Sequence, residues 1–162
     1  MLSKNLAGEM NAQIKHELYS AYLYLSMAAH FEAKNLPGFA SWMKKQAREE
    51  QEHALKFFEY LNDRGDHVIL QAIDQPPSEF KSPQAVFEQV LEHEKSVTAR
   101  INLLYSIAVK DNDYASQTFL NWFVAEQVEE EKHASEIMEW LKMSGDSTNA
   151  LFQINAMLGQ RS

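Results

Sequence analysis

A chain of 162 residues and 18.7 kDa is long enough to bury one full hydrophobic core, and its 45% hydrophobic content with only 5 Gly and 4 Pro excludes disorder as the main state. Fifteen basic against 23 acidic residues leave a net charge of −8, which repels phosphate backbones and argues against nucleic acid as a partner. The absence of cysteine removes disulfides, thiol catalysis and thiolate ligation together, so any metal must be held by oxygen and imidazole. Met1-Leu2-Ser3-Lys4-Asn5 leads into no secretory apolar block, and no 18-residue apolar run occurs. A cytoplasmic protein with no membrane partner is the expectation.

Gly and Pro punctuate the chain at a few places, chiefly Pro37-Gly38, Gly65, Pro76-Pro77, Pro83, Gly145 and Gly159. Between them, apolar residues recur at helical spacing, which predicts helices over 3–34, 38–64, 83–110 and 114–143, with a short fifth over 148–158. Ser3 suits a helix start, as does Ser82 followed by Pro83, and Gly65 and Gly145 suit helix ends. A helix of about 28 residues is about 42 Å long, so four can lie side by side as one domain over 1–162. The links 35–37 and 111–113 are short and imply antiparallel hairpins. The link 66–82 is long enough to cross the bundle lengthwise, which would make the second and third helices parallel. The fifth segment is apolar at Leu151, Phe152, Ile154, Met157 and Leu158, too greasy for a free tail.

Tracing each inward stripe in steps of three and four exposes the chemistry, because residues so spaced share a face. The first helix gives Met10, Ile14, Glu17, Ala21, Tyr24, Ala28 and Phe31. The second gives Phe39, Met43, Ala47, Glu50, His53, Ala54, Phe57 and Leu61, with an acid and an imidazole one turn apart. Phe87, Val90, Leu91, Glu94, Val97, Ile101, Leu104 and Ala108 line the third, and Phe119, Leu120, Phe123, Gln127, Glu130, Ala134, Ile137 and Leu141 the fourth. Every helix thus carries a polar ligand type near its middle. Glu17 to Glu50 and Glu94 to Gln127 are equally spaced (50 − 17 = 127 − 94 = 33), as in two diverged copies of one hairpin.

Carboxylates gathered in an apolar interior repel by about 4 kcal/mol per pair at 4 Å and an effective dielectric of 20, and desolvation adds several kcal/mol per ion. No Lys or Arg stands beside these acids in the stripes, so the compensating charge is expected to be a cation. Four carboxylates and one imidazole match two divalent ions in mostly oxygen coordination, iron or manganese. Blander readings stand beside this one. A single Glu in such a stripe usually reaches solvent, Tyr24 is either a core aromatic or a hydrogen-bond partner to a ligating carboxylate, and the seven Met residues are packing. Within Glu129-Glu130-Glu131, Glu131 reads as part of a solvated face.

These residues resemble the ferritins, of the haem-free bacterial kind, over essentially the whole chain. The ferritin-like bundle places a Glu on each of two helices and Glu-x-x-His on each of the other two, an established pattern that is matched here. One such motif is Glu50-Gln51-Glu52-His53; the second is replaced by Gln127-Val128-Glu129-Glu130, as in ferritins rather than bacterioferritins. Gln51 stands where bacterioferritins place a haem-ligating Met, so no haem is expected. The resemblance implies an all-α, ferritin-like four-helix bundle with a long crossover from the second to the third helix and a short fifth helix. It implies one iron at Glu17, Glu50 and His53, and a second at Glu94 and Glu130, with Glu50 bridging and Gln127 nearby. A third iron site would involve Glu49, Glu126 and Glu129 with Glu130 shared. The implied activity is oxidation of Fe(II) by O2 or peroxide, and the implied product a ferric mineral stored in a hollow homo-oligomer of 24 subunits, the fifth helix packing around a fourfold axis. Two other readings remain open from the residues: a dimeric di-iron oxidase or peroxidase without storage, and a non-catalytic bundle whose acids face solvent and whose partner is another protein.

Overall fold

The computed structural model describes residues 1–162 and consists of five helices, α1 (Lys4–Ala33), α2 (Pro37–Asp63), α3 (Pro83–Lys110), α4 (Tyr114–Ser144) and α5 (Thr148–Gly159). Most of their ends have a local cause. The hydroxyls of Ser3, Ser82 and Ser147 accept from the amides of Leu6, Ala85 and Ala150, and Asp113 accepts from Ser116, each satisfying an otherwise orphaned first-turn donor. Pro37 opens α2 one residue ahead of the expected start, because its fixed φ suits the first helical position and its missing N–H is no loss there. Asn35 and Asn112, both in the left-handed region with φ of 58° and 54°, close α1 and α3 with the same wrap: Leu36 donates to the Phe31 carbonyl and Asp113 to that of Ala108.

α2 differs in having no capping side chain at Leu36. Its cap comes from α5 instead. Asn155 Oδ1 accepts from Gly38 N at 2.8 Å and from Phe39 N at 3.2 Å. The approach is so close that a Cβ on Gly38 would lie 1.7 Å from the Asn155 carbonyl oxygen, so only glycine fits there.

Contacts at the helix ends fix the topology. Ser3 at the start of α1 donates to Asp111 at the end of α3, and Arg64 just past α2 forms a forked ion pair with Asp113 before α4. The ends of α2 and α3 therefore share one end of the bundle, and the two helices run parallel, as the long link requires. That link runs back along α1. Buried Asn11 pins it by donating to the His67 carbonyl at 3.3 Å and accepting from Ile69 N at 2.7 Å, and Ser26 donates to the Pro77 carbonyl farther along.

The inward stripes are buried as their periodicity demands, with Ala21, Leu91 and Phe119 half-buried. The apolar interior nevertheless forms two clusters rather than one. The first contains Phe31, Phe39, Trp42, Phe87 and Ile137, and takes in Ile154 and Leu158 of α5; the second contains Met10, Phe57, Leu61, Ile101 and Phe123. Each such side chain contributes about 1.5–3 kcal/mol by leaving water. Between the clusters lies a belt of buried polar groups, which interrupts the core at mid-height. No helix is long and apolar enough to cross a membrane.

Candidate metal centre

The polar belt is made by Glu17 of α1, Glu50 and His53 of α2, Glu94 of α3, and Gln127 and Glu130 of α4, all at most 6% exposed. Ligand atoms of Glu17, Glu50 and His53 lie within 4.8 Å of one another, and so do those of Glu50, Glu94 and Glu130. Glu50 belongs to both sets. His53 Nδ1 is 3.6 Å from Glu50 Oε2 and 3.9 Å from Glu17 Oε2, too long for hydrogen bonds. Atoms about 2.1 Å from a shared octahedral ion stand about 3 Å apart if adjacent and about 4 Å apart if opposed. Those distances suit ligands around a common ion better than groups bonded to each other.

One atom tests that fit directly. Glu17 Oε2 is buried and has no hydrogen-bond partner in the protein, in a fold where nearly every other buried side-chain polar atom has one. Burial pushes the Glu17 carboxyl well above its ordinary range, and the neighbouring Glu50 charge pushes it further. Burial likewise raises Glu50, Glu94 and Glu130, with Glu94 adding to the rise at Glu50 and Glu130; Glu130 is pushed up to about 8. Without a cation, the cheapest state of the belt keeps protons on several of these acids. Binding divalent ions would displace those protons and leave the carboxylates compensated.

The remaining contacts orient the side chains of the belt. Tyr24 packs in the apolar core and donates its hydroxyl to Glu94 Oε1. Gln127 Nε2 lies 3.2 Å from Glu94 Oε2. Aromatic rings of Trp122 and Phe123 close around His53 at centroid distances of 5.3 and 5.9 Å. Two residues passed over in tracing the stripes carry equal weight: buried Gln13 donates to Glu17 at 2.9 Å, and buried Gln46 donates to Glu50 at 3.1 Å and Glu130 at 2.8 Å. Each Gln sits four residues before its Glu, and that shared spacing is visible in the sequence.

The acids expected around a third site differ in their surroundings. Half-buried Glu126 approaches His53 and Glu130 within ligand distance, Glu129 is exposed, and Glu49 pairs with Arg161 at 2.7 Å. Glu131, expected on a solvated face, accepts from the Thr98 hydroxyl at 2.6 Å beside Gln127. The two hairpins are related by a single shift (94 − 17 = 127 − 50 = 130 − 53 = 77), which sets Glu94 against Glu17, Gln127 against Glu50, and Glu130 against His53. The shift also pairs Asn35 with Asn112.

Residues 8–144 match the family model for the ferritin-like domain. The chain is 42% identical over 162 residues to a bacterial non-heme ferritin of Staphylococcus saprophyticus, covering 100% of this chain and 97% of that one. A bacterial non-heme ferritin of Staphylococcus aureus is 42% identical over 161 residues, with 99% and 97% covered. Among solved structures, an open-pore ferritin from the hyperthermophilic archaeon Archaeoglobus fulgidus superposes with a TM-score of 0.99 at 46% identity, over 100% of both chains.

Proposed function

The chain belongs to the ferritin family, the iron-storing proteins, and from that premise we propose that it oxidises Fe(II) at the paired site of the polar belt and stores the ferric product. The observation that carries this reading is the unpartnered Glu17 Oε2, facing other carboxylates and an imidazole where a divalent cation would complete its coordination. Glu17, Glu50 and His53 would hold one Fe(II), and Glu94 and Glu130 the other, with Glu50 between them and the Gln127 amide orienting Glu94.

Two ions are needed because reduction of O2 to hydrogen peroxide takes two electrons and two protons, and each Fe(II) gives one electron; peroxide as oxidant takes two more electrons on its way to water. Hard, anionic oxygen ligands stabilise Fe(III) over Fe(II), which favours the oxidation. Acids of raised proton affinity give up protons as Fe(II) arrives. Glu126, with Glu49, Glu129 and the shared Glu130, would hold a third iron.

Storage needs an enclosed volume, and a shell of 24 copies would supply it. α5 suits a role in that assembly: it buries Ile154 and Leu158 inward while Phe152 and Met157 remain 56% and 51% exposed, an apolar face for neighbouring copies. The chain is expected to work in the cytoplasm, without haem.

Stopped-flow mixing of the intact protein with Fe(II) in air tests the reading. Rapid oxidation should be reduced by roughly 10²-fold or more in Glu50→Ala and His53→Ala. Equal rates in all three proteins would remove the catalytic assignment, and a particle of dimer size would replace storage with a simple di-iron oxidase.

A further inference from the structure

We propose that Arg161 is a positioning residue for the metal centre, acting through Gln46 on the Glu50 and Glu130 carboxylates. Gln46 is fully buried and its Nε2 donates to both acids. A primary amide has almost the same shape when its oxygen and nitrogen are exchanged, so packing alone does not hold the donor end toward the acids. In the exchanged orientation its carbonyl oxygen would face two carboxylates. Arg161 prevents that exchange: Nη1 donates to Gln46 Oε1 at 3.0 Å, and a guanidinium, having no acceptor, can bond only the oxygen end.

The guanidinium is itself held in place. Its Nη2 donates to Glu49 Oε2 at 2.7 Å, and its Cζ lies over the Trp42 ring, 4.7 Å from the centroid. Only the planar fork serves both acceptors at once. The arrangement occurs twice in this molecule. On the α1 side, Arg100 Nε donates to Gln13 Oε1 at 3.1 Å while Gln13 donates to Glu17. Arg100 lies within α3 of the bundle, whereas Arg161 follows α5 and reaches Gln46 across 115 residues of sequence. The direction of two candidate ligands is therefore made to depend on the seating of α5 against α2.

This inference rests on the paired-metal reading above, and the test separates the two. Co(II) is titrated into the intact protein without oxidation, following both affinity and the visible absorption of the bound ion, which reports ligand geometry. Arg161→Ala should weaken binding about 10-fold and alter the visible band, the scale expected when a group that orients a ligand is lost. Gln46→Ala should do the same. The Arg161→Ala/Gln46→Ala double variant should bind no more weakly than Gln46→Ala, because the arginine has nothing left to act through. Unchanged Co(II) affinity and spectrum in Arg161→Ala would overturn the inference. So would a full additional loss in the Gln46→Ala background, which would mean that Arg161 acts by charge or by holding α5. A wild-type chain that takes up no Co(II) would instead overturn the paired-metal reading itself.

Discussion

Replacing Gly38 by alanine should unseat α5 while leaving the four-helix bundle folded. The new Cβ would meet the Asn155 carbonyl oxygen at 1.7 Å and its carbonyl carbon at 2.6 Å, against ordinary contacts that begin near 3.4 Å. Both atoms are backbone, so a side-chain rotation gives no relief, and α5 must retreat by roughly 1.5 Å. Retreat of that size carries Asn155 Oδ1 beyond hydrogen-bonding range of Gly38 N and Phe39 N, now 2.8 and 3.2 Å away. The lost cap costs about 1–2 kcal/mol. If α5 leaves altogether, Ile154 and Leu158 also lose their burial, at about 1.5–3 kcal/mol each, so docking weakens by at least the first figure and at most about 8 kcal/mol. Hydrogen exchange read by mass spectrometry should show faster exchange in α5 and the first turn of α2, with α3 unchanged. Asn155→Ala removes the cap without the clash and should cost only about 1 kcal/mol. Wild-type exchange in both segments of Gly38→Ala would refute the reasoning, since it would mean that the two helices are not in contact at that glycine.

The ion pair at the other end of the bundle sets a pH dependence. The Arg64 hydrogen bonds hold the Asp113 carboxyl below its ordinary range, so the unfolded chain binds more protons near that range and stability rises with pH there. Its contribution is complete above about pH 4 and fades as pH falls through the lowered folded value; urea unfolding against pH should show this limb, and Asp113→Asn should flatten it. Glu17→Gln should separate function from folding, since a neutral amide stays buried beside Glu50 without the proton that the acid must take up. Metal-free stability should equal or exceed wild type in denaturant while Fe(II) oxidation falls by roughly 10²-fold, and a less stable metal-free variant would contradict the charge argument. Asn11→Ala should strip both hydrogen bonds from the crossover, costing about 1–3 kcal/mol locally and exposing residues 66–72 to limited proteolysis ahead of the helices.

The helices and their inward stripes were readable from the sequence because apolar periodicity and capping residues are local signals: Ser3, Ser82 and the glycines after α2 and α4 stand where those signals put them. The polar residue at the middle of every stripe was readable for the same reason. Gln13 and Gln46 were not, although each lies four residues before a belt acid, because the apolar neighbours Ile14 and Ala47 carry the traced stripes past them. Glu131 reads as solvated because a run of three acids does not disclose a hydroxyl donor on another helix. Arg161 and Asn155 act across more than a hundred residues, and nothing in their own neighbourhoods marks either as a partner of α2. Asp113 shows the converse: in a link read only for its length, it is an ordinary helix cap that its residue type announces.

The unequal capping of the two related hairpins has a consequence for the order of folding. Asp113 secures the beginning of α4 from the adjacent residue, so the later hairpin can consolidate as soon as its own segments exist. The earlier hairpin has to wait: its exposed amides at Gly38 and Phe39 find their acceptor 117 and 116 positions downstream, after everything between has been synthesised. During translation the first-made half of the molecule is thus expected to be finished last, its inner turn completing its hydrogen bonds only when α5 arrives.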